Sequence, residues 1–229
     1  MASLEPELRQ GLLDLTLTLG DAQVTQLLDY LALLQKWTGV YNLTAVRDPA
    51  EMLTHHLLDC LAVIAPLRAH MAGARQNQAP ESGQSSAGNR PPLRLLDVGS
   101  GAGLPGVVVA ICCPDVLVDC VDTVAKKVAF IRQVAATLGL SNLRGLHARV
   151  ETLTDRYDVI SSRAFSSLAD FVLWSSAALA NNGVWLAMKG RRPDHEIAIL
   201  PAGVDVFHVE QLLVPGLDAQ RCLVWMRKT

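Results

Sequence analysis

"LRLLDVGSGAGLPGVVVAI", residues 93–111, carries a run of branched apolar residues into an Asp, then four glycines within eight positions, then Pro and more Val. Glycines at this density do not belong to a regular element; they let the backbone approach something closely. Gly101, Gly103 and Gly106 satisfy G-x-G-x-x-G, the spacing of a dinucleotide-binding turn, a weak signal on its own. Asp97 stands two residues before Gly99, so the stretch reads D-x-G-x-G-x-G. An acid at the carboxyl end of a first strand can take part in binding a cationic ligand head through the loop or water, whereas it would repel a pyrophosphate. A purely architectural turn needs only one or two glycines, so the loop reads as a small-molecule site.

Outward from the loop, the apolar runs "LRLLDV", "VLVDCVD", "YDVISS" and "GVWLAMK" alternate with helical stretches such as "AKKVAFIRQVAATLGL" and "SLADFVLWSSAALA". That alternation predicts an α/β fold, a doubly wound, mostly parallel sheet with helices on both faces. "VDVFHVEQLLV" and "RCLVWMRK" flank "PGLDAQ", which predicts a C-terminal antiparallel hairpin. Residues 1–71 read as an N-terminal helical extension. There, "DAQVTQLLDYLALLQKW" starts at an N-cap, Asp21, and places Val24, Leu27, Leu28, Leu31 and Leu34 on one face. In "DPAE", Asp48 caps, Pro49 takes the first helical position and Glu51 completes a box-like arrangement; the helix then runs toward Pro66. Residues 72–92, rich in Ala, Gly, Ser, Gln and Pro, are expected to be a flexible connector to a ligand-binding domain over 93–229.

The 229 residues are 50% hydrophobic and 18% charged, enough for a core. Mean hydropathy is high, at +0.26. The apolar run Val107–Cys113 is nevertheless far short of the ~20 residues a membrane span needs. "MASLEPELRQ" lacks the apolar segment of a signal peptide, so a cytoplasmic protein without membrane contact is expected. Five cysteines (Cys60, Cys112, Cys113, Cys120 and Cys222), with no C-x-x-C pair, are expected to be buried reduced thiols. A net charge of −2 argues against indiscriminate nucleic-acid binding and leaves room only for a local basic patch. His55, His56 and Asp59 cluster on one helix, but no further ligand has suitable spacing; docking of the helices onto the sheet is expected rather than a metal. Trp37, Tyr41 and Asn42 fit either base stacking or the end of an apolar stripe. Solvation is expected at Lys126 and Lys127.

Asp122 ends "VLVDCVD", where its carboxylate can accept both hydroxyls of a ribose. The pair Val150–Glu151 precedes "DRYDVISSRAF", with Arg163 just beyond; in a methyltransferase the turn corresponding to "ARVE" lies over an adenine ring. The sulfonium and ammonium groups of S-adenosylmethionine suit Asp97, and its adenosine suits Asp122. The alternative, a nicotinamide-dependent oxidoreductase, rests on the overlapping G-x-G-x-x-G alone. The acceptor is narrowed by "SSRAF", which is not the Asn/Asp-Pro-Pro-aromatic motif of amino-group methyltransferases, and by the absence of Cys on that loop, which a pyrimidine-carbon methyltransferase needs. An acceptor that is already nucleophilic remains, such as guanine N7, whose in-plane lone pair needs no general base. Catalysis then rests on alignment of donor and acceptor and on compensating the charge that moves onto the base.

"WTGVYNLTAVRDPAEMLTHHLLDCL", "LLDVGSGAGLPGVVVAI", "VDTVAKKVAFIRQVA", "ARVE", "ISSRAF" and "LAMKG", in this order, resemble the bacterial glucose-inhibited division protein B family of small-subunit ribosomal RNA methyltransferases. The resemblance spans nearly all of the chain except the connector. It implies a class I, Rossmann-like fold and S-adenosylmethionine-dependent methylation of guanine N7 in the decoding-region loop of 16S ribosomal RNA. It also implies 16S ribosomal RNA or the small ribosomal subunit as partner. The family's donor positions fall on Gly99, Leu104, Val150, Glu151 and Arg163. Asp97, Gly101, Gly103 and Asp122 join them on the physical argument above. Lys189, Arg191 and Arg192 form the best local basic cluster and are expected to contact RNA. A monomer is expected. A non-catalytic ribosome-assembly factor on the same fold is a further alternative, because an N7 reaction demands no diagnostic catalytic residue.

Overall fold

Alternation with a period of two decides which face of a sheet each side chain reaches. The computed structural model describes residues 4–77, 91–165 and 167–229. Its strands are β1 (Leu93–Val98), β2 (Val116–Asp122), β3 (Leu143–His147), β4 (Tyr157–Arg163), β5 (Leu179–Lys189), β6 (Val204–Leu212) and β7 (Arg221–Lys228). They form one sheet in the order β3-β2-β1-β4-β5-β7-β6. The first five run parallel, and β7 lies antiparallel between β5 and β6. The doubly wound sheet and its C-terminal hairpin are therefore as expected. Leu95, Val118, Val159 and Leu186 face one core, while Leu96, Val121, Ile160 and Trp185 face the other.

β3 is not among the four apolar runs. Its sequence "LRGLH" is short, and two of its five residues are exposed, so it lacks the apolar density of the central strands. Gly145 is there because a Cβ would come within 3.1 Å of Val128 O on the helix that crosses β3. Val150 and Glu151 consequently follow the third strand, in a 3₁₀ turn, Val150–Thr152.

The helices are α1 (Glu5–Asp14), α2 (Asp21–Tyr41), α3 (Pro49–Met52), α4 (Asp59–Leu61), α5 (Ile64–Asn77), α6 (Gly106–Cys112), α7 (Ala125–Leu138), α8 (Leu168–Ser175) and α9 (Asp194–Ala198). A π-helical turn, Leu53–Leu58, joins α3 to α4. The expected stripe of α2 is buried at Val24, Leu27, Leu31 and Leu34. Its N-cap is Gly20 rather than Asp21: Gly20 N donates to Gln23 Oε1 at 3.1 Å, and Asp21 instead pairs with Arg9 at 2.8 Å. Asp48 does cap, with Oδ1 accepting from Ala50 N at 2.9 Å and Glu51 N at 3.0 Å. Pro66 does not end a helix; it sits in the first turn of α5, where a missing N–H is harmless.

The connector was expected at 72–92. Residues 72–77 still belong to α5, and residues 78–90 lie outside the described residues. The helical run Pro49–Arg75 is long and apolar enough, by length and composition, to cross a membrane, but 56% of its most apolar stretch is buried inside the protein. Met52, Leu57, Leu61, Ile64 and Leu67 there join Leu27, Val107, Ile111 and Val118 in one core. The N-terminal helices thus form one side of the core on that face of the sheet. Trp37 belongs to it as well, 5.4 Å from the Phe130 ring.

At the opposite end of the sheet from the strands' carboxyl ends, Asp119 of β2 is buried and accepts from Arg144 Nε at 2.7 Å, Arg144 Nη2 at 2.6 Å and Tyr157 Oη at 2.8 Å. Asp119→Ala leaves the buried Tyr157 hydroxyl without its acceptor and is expected to cost about 2 kcal/mol of unfolding free energy by urea denaturation. Asp155→Ala, which removes an exposed partner of Arg94 and Arg144, should change stability little.

Candidate active site

β1 runs into Gly99, whose φ of +65° turns the backbone back toward β2, with Gly99 N and Ser100 N donating to Val121 O at 2.9 and 3.2 Å. The turn leaves a cleft of about 430 Å³ at the carboxyl ends of β1, β2 and β3. This is where open α/β sheets bind ligands. Gly99, Asp122, Val150 and Glu151 line it, faced by Phe165 and Trp174. Asp122 is oriented by two backbone donors, Gly101 N at 3.0 Å and Val124 N at 2.8 Å, which leave each carboxylate oxygen a further lone pair.

The other expected donor-site residues stand behind this wall. A Cβ at Gly103 would run into Val107, and one at Gly106 into Cys120 Sγ, so these two glycines serve close packing of α6. Leu104 is buried in the core. Asp97 is fully buried, and its Oδ2 accepts from Gly106 N at 2.9 Å while Ser161 Oγ donates to Oδ1 at 3.3 Å. It ties the start of α6 to β1 and β4.

Arg163 is also placed differently. It lines a second cleft, of about 520 Å³, on the far side of the β4 terminus. Its Nη1 donates to Asp59 Oδ2 and to His55 O, both at 3.1 Å. Arg221, from the start of β7, donates Nε to Asp59 Oδ1 at 2.7 Å. The expected docking role of the His55–Asp59 region is thus carried by one buried carboxylate and two arginines. His56 lines the same cleft and holds Thr44 Oγ1 at 2.7 Å from Nε2; burial, then the charge of Arg163, push its pKa down, so the ring is neutral.

The basic cluster at the end of β5 is partly neutralised. Lys189 bonds both oxygens of Glu196, at 3.0 and 2.8 Å, and Arg192 pairs with Asp194 at 2.6 Å. Arg191 is exposed and makes no ion pair among the described residues. Residues to which the sequence assigns no donor-site role also stand in the first cleft. Phe165 and Trp174 meet edge to face at 5.5 Å, and Lys127 lies 3.5 Å from Asp122 Oδ2. The available signal for Trp174 was a large aromatic on the solvent side of α8, where it is 41% exposed.

Burial pushes the Asp97 carboxyl up to about 7, against the Gly106 N–H, the Arg163 charge and the Ser161 hydroxyl. An unfolded Asp titrates near about 3.9, so between about pH 4 and pH 7 the folded state holds a proton that the unfolded state has lost. The group's contribution to stability is therefore fullest at low pH and declines as pH rises to about 7. Asp97→Asn keeps a neutral acceptor for Gly106 N, and its thermal midpoint relative to the wild type is expected to rise from about pH 5 to about pH 8. An offset that stays constant over that range would contradict the assignment.

A family model described as rRNA small subunit methyltransferase G matches residues 23–72 and 83–224 of the chain. A ribosomal RNA small subunit methyltransferase G from Albidiferax ferrireducens is 68% identical over 229 residues, 100% of this chain and 99% of the relative. The protein of the same name from an Acidovorax species is 67% identical, over 98% of this chain and 96% of the relative. Among solved structures, TrmN from Thermus thermophilus is similar in fold, with a TM-score of 0.50 and 23% identity over 61% of this chain and 45% of that one. The chain belongs to the rRNA small subunit methyltransferase G family.

Proposed function

We propose that the chain transfers the methyl group of S-adenosylmethionine to N7 of a guanine in the decoding-region loop of 16S ribosomal RNA, as a cytoplasmic monomer. The observation that carries this reading is a pair of clefts sharing one wall. Phe165 lines the first cleft, while Arg163 and Ala164, which directly precede it, line the second. A donor in one and an acceptor in the other meet at the end of β4. Five buried free thiols support a reducing compartment. Family membership leaves the dinucleotide alternative with nothing but a glycine spacing, two of whose members serve packing.

The first cleft fits the donor. At Gly99 a Cβ would stand 3.8 Å from Phe165, filling the gap between loop and ring. Asp122 offers carboxylate lone pairs for two ribose hydroxyls, and Val150 and the aromatic pair offer apolar surface for a purine. When bound, the group would supply an electrophilic methyl on a sulfonium, whose sulfur leaves as a neutral thioether. The chain's part is positioning. Asp122 and the glycine turn would orient the donor, and the Asp59–Arg163–Arg221 cluster fixes the end of β4 that borders both clefts. N7 carries no proton, so no side chain has to remove one.

The direct test is mass mapping of methylated guanines in 16S ribosomal RNA from cells with and without the protein; an unchanged map overturns the proposal. Trp174→Ala is expected to weaken S-adenosylhomocysteine binding about three- to tenfold by calorimetry, the worth of one aromatic ring pairing. Arg191→Ala with Arg192→Ala is expected to weaken substrate RNA binding and lower the salt slope by about one for each phosphate no longer neutralised, with donor affinity unchanged.

A further inference from the structure

We infer that Glu51 reads the Watson–Crick edge of the acceptor base and gives the second cleft its selectivity for guanine. This rests on the acceptor reading of that cleft. The lining holds three cationic side chains and two carboxylates, Asp59 and Glu51. Arg163, Lys189 and Arg221 supply N–H groups. Asp59 cannot serve as the reader, because each of its oxygens already holds an arginine, at 3.1 and 2.7 Å. Glu51 also lines the cleft, and its carboxylate pairs with no cation among the described residues. Its own N–H is tied to the Asp48 cap at 3.0 Å, so the helix turn that carries it is preset.

Guanine offers two adjacent donors on that edge, N1–H and the 2-amino group, which match the two oxygens of a carboxylate. Adenine offers a bare N1 lone pair there, which a carboxylate repels. O6 and the backbone phosphates, all acceptors, face the arginine side. Arg163 commits only Nη1 in the bonds described, and a guanidinium carries five N–H donors. Holding the Watson–Crick edge leaves N7, on the opposite side of the base, free to face the donor.

The same contact tightens as the reaction proceeds. The N7 lone pair forms the new bond to carbon while the sulfur–carbon pair returns to sulfur, so one positive charge moves from sulfonium to purine. The N1–H and 2-amino protons become more acidic, and their bonds to the Glu51 carboxylate strengthen in the transition state. Glu51 therefore acts on kcat as well as on KM.

The test uses the full chain with small subunits reconstituted to carry guanine or inosine at the methylated position; inosine lacks only the 2-amino group. The wild type is expected to favour guanine about tenfold or more in kcat/KM. Glu51→Ala should lose about that factor on guanine and bring the guanine-to-inosine ratio near one, with S-adenosylhomocysteine affinity unchanged as the check on folding. Glu51→Gln, which keeps the side chain's size, should fall between. A role confined to supporting the helix start would shift the thermal midpoint and leave the ratio untouched. A wild type indifferent to inosine, or a Glu51→Ala ratio equal to the wild type's, overturns the inference. Absence of methyl transfer by the wild type overturns the functional reading itself, and this inference with it.

Discussion

A fully buried carboxyl group holds the centre of this protein together. Asp97 sits where the sheet changes direction, between β2 on one side and β4 on the other, and bonds the first N–H of α6. Helix and strand approach so closely there that Gly106 admits no Cβ. The donor turn hangs from this junction, since it spans only the residues between Asp97 and Gly106. On β4, Ser161 touches Asp97 and Arg163 follows two residues later at the second cleft. One buried acid thus sets the spacing of both clefts. Desolvation raises its pKa, and the Gly106 and Ser161 bonds offset part of that cost.

Asp59 plays the corresponding part for the N-terminal helices. It lies beyond the π-helical turn and bonds Arg163 and Arg221, which come from two different strands. A single oxygen pair therefore fixes helix, β4 and β7 relative to one another. Tyr30 makes a second bond of this kind, donating its buried hydroxyl to Ala102 O within the glycine turn at 2.9 Å. The helices thus line the second cleft and brace the glycine turn of the first.

Much of the fold was legible because the central strands are buried on both faces and so read as dense apolar runs. β3, the edge strand, is exposed on one side and carries Gly145, and its signal faded accordingly. Within the first cleft, Asp122 was legible as the acid that ends an apolar run, while Gly99, Val150 and Glu151 were reached through the family resemblance; all four lie at or within four residues of a strand's carboxyl end. Arg163 lines the second cleft rather than the first: chain position says how near a residue lies to a strand terminus, but not toward which neighbour its side chain turns. Asp97 was read as acting on a ligand through the loop; that its burial also makes it a bond between elements shows only in the packing. The partners of Lys189 and Arg192, Glu196 and Asp194, are close in sequence, but only α9 brings Glu196 back onto the lysine.

The core shared between the N-terminal helices and the sheet bears on how the polypeptide can be divided. Leu27, Leu57 and Ile64 from the first segment interdigitate with Val107, Ile111 and Val118 from the second. Neither segment encloses a hydrophobic interior of its own on that face. A backbone cut between residues 77 and 91 would yield two pieces that each expose apolar surface until they recombine. Complementation of the two pieces would restore both clefts at once, because Tyr30 and Asp59 reach them from the first piece and the strands reach them from the second.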